Sequence, residues 1–413
     1  MPHTTTVVIG AGQAGLAMSR CLSGLGVEHV VLERGELAQR WRTQSWDSLH
    51  LLTPNWMTRL PGFEYDGTDP DGFMSVPELI ALFERYAAES RAPIVTRTTV
   101  ERVERADGGF RVASNRGVWS SESVVIATGY CDRPAVPAAS RRLAPSIAQI
   151  VPADYRRPDQ LPAGNVLVVG ASSTGVQIAD EIQQSGRQVT LAVGRHTRLP
   201  RQYRGDDIMR WLDRLGVLSQ PAEAVHDIET SRQQPSLQLV GRSDHSSLDL
   251  GMLHADGVRL VGRVRDIADH AISLAADDLL TTMAAADIKM AEILMRIDHV
   301  ITTNGLPATA PEPFRPTWPL ADSPESLNLE AEGINTVIWA TGYRRAYPWL
   351  RVPVLDARGE IVHEGGITPA FGLYVLGMNF QRRRNSSFIN GVGDDARVIA
   401  EQIAHSMARG RVA

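Results

Sequence analysis

Two runs of small residues carry the clearest chemistry. Gly10-Ala11-Gly12-Gln13-Ala14-Gly15 follows the apolar run 6–9, and Gly170-Ala171-Ser172-Ser173-Thr174-Gly175 follows the apolar run 166–169. Such a turn between a strand and a helix suits a phosphate. The first glycine permits the tight turn, the second lets backbone N–H groups approach the anion, and the third lets the helix pack close to the strand. Glu33 lies at the tip of the next strand, where a carboxylate accepts hydrogen bonds from ribose hydroxyls and repels a 2′-phosphate. The first turn therefore suits FAD or NAD, with Gly10, Gly12, Gln13, Ala14, Gly15, Glu33 and Arg34 as its expected binding residues. At the matching tip of the second unit stands Arg195, placed to meet the extra phosphate of NADP. NADPH is preferred there over NADH, with Gly170, Ser172, Ser173, Thr174, Gly175 and Arg195 as expected contacts. Ser172 replaces the second glycine, so close approach calls for a small backbone shift or for a hydroxyl that donates to phosphate. Arg198, Arg201 and Arg204 read equally well as a solvated loop.

The elements that must position these turns are legible around them. Leu16, Cys21, Leu22 and Leu25 at helical spacing end at Gly26, and 30–32 is a second apolar run. Val176, Ile178, Ala179 and Ile182 repeat the helix, ended by Gly186, and 189–193 repeats the strand. Each unit then ends in a strand running into Ala-Thr-Gly-Tyr, at 124–130 and 337–343, which adds Thr128, Gly129, Thr341 and Gly342 to the expected site. The repeated order predicts an α/β fold of two Rossmann-like dinucleotide-binding domains, the second inserted into the first. The expected boundaries are 1–135 plus 330–413 for FAD, 160–330 for NADPH and 136–159 for the crossing, with a Pro-rich return crossing over 307–324. A helix over 283–297, with Met283, Ile288, Ala291, Ile293, Leu294 and Ile297 mainly on one side, is assigned to packing.

Composition sets outer bounds. The 413 residues, 43% hydrophobic and 22% charged, fit two or three globular domains of about 150 residues and exclude disorder and coiled coil. A net charge of -5 gives no footprint for nucleic acid or an anionic membrane. No apolar run is long enough to span a bilayer, and the start lacks the pattern of a secretory signal, so a cytoplasmic protein is expected. Cys21 and Cys131 form no Cys-x-x-Cys pair, and the 11 histidines show no ligating spacing, so neither a disulfide framework nor a metal site is expected. The cysteines also count against a disulfide reductase. Two dinucleotide sites imply hydride transfer between NADPH and FAD.

These residues resemble the flavin-containing monooxygenases, the class B flavoproteins that include YUCCA-type and bacterial CzcO-like proteins. The likeness spans nearly the whole chain. It rests on the two Gly-rich turns, Glu33 with Trp41, Trp46-Asp47-Ser48-Leu49-His50-Leu51, both Ala-Thr-Gly-Tyr strands, Gly372-Leu-Tyr-Val-Leu-Gly377, and Gly391-Val-Gly-Asp-Asp395. The resemblance implies FAD in the first domain, NADPH in the second, a C4a-(hydro)peroxyflavin, and insertion of one oxygen atom from O2 into a small organic substrate, with no conventional catalytic residue singled out. It places Trp41, Arg42, Trp46 and Asp47 near the flavin, the segment 378–390 beside its ring, and the last helix with Asp394 facing it. Core packing is an equal alternative for Trp41 and Trp46. Trp56, Tyr65, Phe73, Trp349 and Phe380 are candidate pocket aromatics, with ordinary core packing the commoner role. A homodimer is compatible with these features. Two departures matter. The crossing motif Phe-x-Gly-x-x-x-His-x-x-x-Tyr keeps Tyr155 but has Val151 at the histidine position, and the family's active-site asparagine aligns near Leu52, with Asn55 three residues on. An NADPH oxidase or quinone reductase is the alternative these departures favour. A redox-sensing flavoprotein that regulates a partner is the alternative of another class.

Overall fold

The computed structural model describes residues 1–311 and 323–410. Most of the expected 307–324 return crossing lies outside the described residues. Two sheets organise the chain. In the first, His3–Ile9 is central, with His29–Leu32 and then Ile94–Val95 parallel on one side and the long strand Gly117–Ile126 parallel on the other. Gly109–Ser114 and Val100–Ala106 continue from that strand antiparallel, and Leu373–Val375 joins its C-terminal half in parallel. The second sheet is wholly parallel, in the order Ala148–Ile150, Ile334–Trp339, Asn165–Val169, Val189–Ala192, Arg259–Val261.

The central strands are continuous apolar runs because both faces are covered. Val8, Val31 and Val125 face Leu16, Leu22, Ala396 and Ile403 of two helices, while their neighbours Val7, Leu32, Val124 and Ile126 pack on the opposite face against Leu350 and Leu373. The second sheet alternates in the same way. Val166, Val168 and Ile338 pack on Val176 and Ile182, and Leu167, Val337 and Trp339 on Ile267 and Leu274. Fully burying one such side chain contributes about 1.5–3 kcal/mol.

The strand that carries the second Ala-Thr-Gly belongs to the second sheet, and so does Ala148–Ile150. The second sheet thus reaches beyond the expected limits of 160 and 330, into the segment read as crossing. The helix expected over 283–297 runs Asp278–Asn304 and ends on left-handed Gly305. Its buried face is Leu279, Met283, Ala286, Met290, Ile297 and Ile301, whereas Ile288 is 61% exposed. Ile288 is therefore not a packing residue, because at 100° per residue it lies on the side opposite the face set by Met283, Ala286 and Met290. Among the described residues no helix is long and apolar enough to cross a membrane.

Candidate functional site

The two turns are near copies in three dimensions. Gly10 has φ +105°, and a Cβ there would lie 2.7 Å from the Ala127 carbonyl oxygen; one on Gly15 would lie 1.8 Å from the Gly10 oxygen. Gly170 (φ +110°) and Gly175 repeat this with clashes of 2.3 Å and 1.8 Å. Only glycine fits these four positions. Gly12 is different. Its backbone is extended, it starts the helix Gln13–Gly24 without a side-chain cap, and a Cβ would meet nothing within 4 Å. Ser172 (φ -79°, ψ -178°) matches Gly12 (φ -86°, ψ -169°) and likewise caps nothing on its helix, Ser173–Gln184. The anticipated backbone shift at Ser172 is not needed, since any residue adopts that conformation. Both helices thus present uncapped N–H groups, with the positive end of the helix dipole, to the space in front of them.

That space is one cavity of about 2190 Å³, lined from the first unit by Gly10, Gly12, Gln13, Ala14, Glu33, Arg34, Trp41, Thr128 and Gly129. From the second unit it is lined by Gly170, Ser172, Thr174, Arg195, Thr341 and Gly342. Small-molecule pockets usually span roughly 300–1,000 Å³, so there is room for more than one ligand. Gly15, Ser173 and Gly175 do not line it; the two glycines serve helix–strand contact. Glu33 is buried, and its carboxylate accepts from Ala11 N at 2.7 Å and Gly35 N at 3.1 Å, which ties it to the turn. Arg34 pairs with Asp132 at 3.9 Å. The two Ala-Thr-Gly ends are stitched together: Tyr343 and Arg344 pair with Pro134 and Arg133, Ala135 N donates to Gly342 O at 2.8 Å, and Thr341 Oγ1 donates to Ala135 O at 2.9 Å.

Arg42, Trp46 and Asp394 are likewise absent from the cavity wall. Arg42 turns to Glu84 and the Leu37 carbonyl. Trp46 is buried in the core of the second sheet beside Tyr155 and Val176, which decides its alternative roles in favour of packing. Asp394 pairs with Arg383 at 2.5 Å and Arg397 at 2.9 Å. Its neighbour Asp395, which sequence reasoning passed over, is the buried carboxylate of that helix start, and burial pushes its carboxyl up to about 6 against the weaker opposing pull of the Ser386 hydroxyl, Arg382 and Arg383.

The arginines after Arg195 are not a solvated loop. Arg198 is buried between Asp249 and Asp287, Arg201 is fully buried and bidentate to Asp207, and Arg204 pairs with Asp298. Arg195 is exposed on the cavity wall and has no ion pair among the described residues. Leu52 lines the cavity, while Asn55 is buried and spent on Asp69 O and Met74 N. Val151 packs against the core of the second sheet, and Tyr155 donates to Glu181, so this stretch of the degraded crossing motif is structural. Of the candidate aromatics, Trp349 and Phe380 line the cavity; Trp56, Tyr65 and Phe73 do not. Asn379, Phe380, Arg384, Ser387, Phe388 and Ile389 bring the expected 378–390 segment to it. Burial raises the Cys131 thiol and pushes Cys21 up to about 11, and only Cys131 reaches the cavity. Neither is primed as a thiolate.

Comparison with known proteins agrees with this geometry. Residues 7–213 match the family model "Pyridine nucleotide-disulphide oxidoreductase". A CzcO-like oxidoreductase of Geobacillus kaustophilus is 31% identical over 98% of this chain and 99% of its own. The probable indole-3-pyruvate monooxygenase YUCCA1 of Arabidopsis thaliana is 31% identical over 48% of this chain and 49% of its own. A solved flavin-containing monooxygenase from Stenotrophomonas maltophilia shares the fold, with a TM-score of 0.69 at 19% identity over 98% of this chain and 100% of that one.

Proposed function

The chain belongs to the pyridine nucleotide-disulphide oxidoreductase family, together with the CzcO-like oxidoreductases, and from that premise we propose that this oxidoreductase is an NADPH-dependent FAD monooxygenase acting on a small organic molecule. The observation that carries the reading is the single cavity onto which both Gly-rich turns and both Ala-Thr-Gly ends open. Hydride transfer requires the two cofactors in contact, and one shared space of this size permits it. The likeness to the YUCCA monooxygenase favours oxygenation. The absence of a primed thiol speaks against disulfide reduction.

In this reading the first turn would hold FAD: backbone N–H groups at the start of the helix Gln13–Gly24 would bind its diphosphate in the room left by Gly12, and Glu33 would accept from the ribose hydroxyls. The second turn would hold NADPH, with Ser172 and Thr174 serving the diphosphate and Arg195 the 2′-phosphate. FAD supplies the chemistry, accepting a hydride and activating O2. The protein's share is to keep water from that chemistry and to orient the substrate. The wall formed by Leu52, Met209, Leu212, Leu239 and Phe388 suits both tasks. The test is turnover with NADPH under isotopically labelled O2: the reading expects one labelled oxygen per product. If NADPH reduces the flavin but all O2 is released as peroxide across a broad substrate panel, or quinones carry the turnover, the oxidase or quinone reductase alternative replaces it.

A further inference from the structure

The cavity is lined by the apolar side chains Leu215, Val217, Leu218 and Phe388, which belong to one hydrophobic cluster, and by the cation Arg384. Arg384 has no ion pair among the described residues. It is held by neutral groups: Nη1 donates to Gln234 Oε1 at 3.1 Å, Nη2 donates to Gln220 Oε1 at 3.0 Å, and the guanidinium stacks on the Phe380 ring at 4.7 Å. Its backbone N–H is pinned to Gln220 O. A guanidinium has five N–H donors, so two are committed and three are free, and the Nε is buried without a partner. Burial, and repulsion from Arg296 on the same cavity wall, hold this arginine below the usual guanidinium range. Phe380, which supports the stack, has φ +48°, a conformation costing on the order of 1 kcal/mol or more for a bulky residue. On the same wall Arg345 is neutralised by Glu360, and Arg232 and Arg358 by Glu229, whereas Arg296 and Lys289, like Arg384, have no ion pair among the described residues.

A half-buried, oriented guanidinium without a carboxylate is an arrangement completed by an anion from outside the chain. We propose that the substrate of this site is an apolar molecule carrying one carboxylate, bound with its acid group on the free edge of Arg384 and its apolar body against Leu215, Leu218 and Phe388. The two glutamines orient the fork without cancelling its charge. This proposal rests on the monooxygenase reading for the site's being a substrate site, but the binding it predicts requires neither NADPH nor O2.

The test uses the FAD-loaded protein and matched probe pairs, such as 3-phenylpropanoate and 3-phenylpropanamide, followed by the change in flavin absorbance. The acid is expected to bind roughly 10- to 100-fold more tightly than the amide, the equivalent of a charge-assisted hydrogen bond. Arg384→Met should erase the preference, and Arg384→Lys should retain part of it because the charge stays while the fork is lost. The wild-type comparison needs no variant, so a misfolded variant does not blunt the test. Equal affinity for both members of the pairs, no binding of any acid at millimolar concentration, or a loss in Arg384→Met that falls on NADPH instead of the acid would overturn the proposal. A protein that shows the acid preference but never incorporates labelled oxygen refutes only the monooxygenase reading. One that oxygenates neutral molecules without acid preference refutes only this proposal.

Discussion

Gly12→Val separates ligand binding from folding. Gly12 is extended, and a Cβ there meets no protein atom within 4 Å, so valine enters the cavity and not the core. The folded protein loses only helix-start preference, about 1 kcal/mol, or a few degrees in Tm. The ligand loses more. If the branched side chain blocks two backbone N–H bonds to a charged diphosphate, at about 1.5–3 kcal/mol each, the penalty is about 3–6 kcal/mol, or roughly 10²- to 10⁴-fold in FAD affinity. The assay is the ratio of flavin to protein absorbance after purification, a fluorescence titration of FAD, and a thermal melt of the FAD-free protein. The matched control is Gly15→Val, where a Cβ would lie 1.8 Å from the Gly10 oxygen and the fold itself should fail. A Gly12→Val protein of normal yellow colour would refute the placement of the diphosphate, and a large fall in the FAD-free melt would refute the claim that Gly12 faces open space.

Two further perturbations probe the charges. Arg195→Ala should raise KM for NADPH roughly 10- to 100-fold, the loss of one charged contact, with little change for NADH; equal effects in steady-state assays with the two cofactors remove the phosphate contact. Asp395 gives a pH signature. Its raised carboxyl means that the folded chain holds the proton more tightly than the unfolded one, so its contribution is full below about pH 4 and is lost as pH rises to about 6. Two units correspond to about 3 kcal/mol. Urea unfolding of FAD-free Asp395→Asn should match the wild type near about pH 4 and show added stability, up to about 3 kcal/mol, at about pH 7.5; a pH-independent difference would remove the buried-acid account.

What was legible in the chain was what local backbone rules dictate. Gly10, Gly15, Gly170 and Gly175 announce themselves because their constraint comes from atoms a few residues away or on the adjoining strand, and strand, turn, helix and acid follow in fixed order. Side-chain direction was not legible. Whether Asp394 or Asp395 turned inward depends on a helix rotation that one residue of phase decides, and whether Trp46 met the flavin or the second sheet depends on the path of the irregular segment after the helix Gln39–Thr43. Arg201 looked like one of a run of exposed cations because its partner Asp207 gives no signal of burial. Arg384 was hidden in the triplet Arg382-Arg383-Arg384; only the packed loop shows that Arg383 finds Asp394 while Arg384 finds none.

The stitch between the two Ala-Thr-Gly ends bears on how such a chain can be cut and rebuilt. Every strand of the first sheet lies within residues 3–126 or 373–375, and every strand of the second within 148–339. The chain leaves the first unit at Ala135 and returns at Gly342, two residues already joined by one hydrogen bond. Deleting 136–341 and joining those ends through a short glycine linker would therefore leave the first sheet's hydrogen-bond ladder unbroken. Its chief loss would be the cover over Trp46 and Leu49, and over Leu52, Trp56, Met57 and Phe388, which pack against the second unit's cores. With those surfaces made polar, the remainder is a candidate for a stand-alone flavin-binding module, and the excised piece is a cassette whose ends meet.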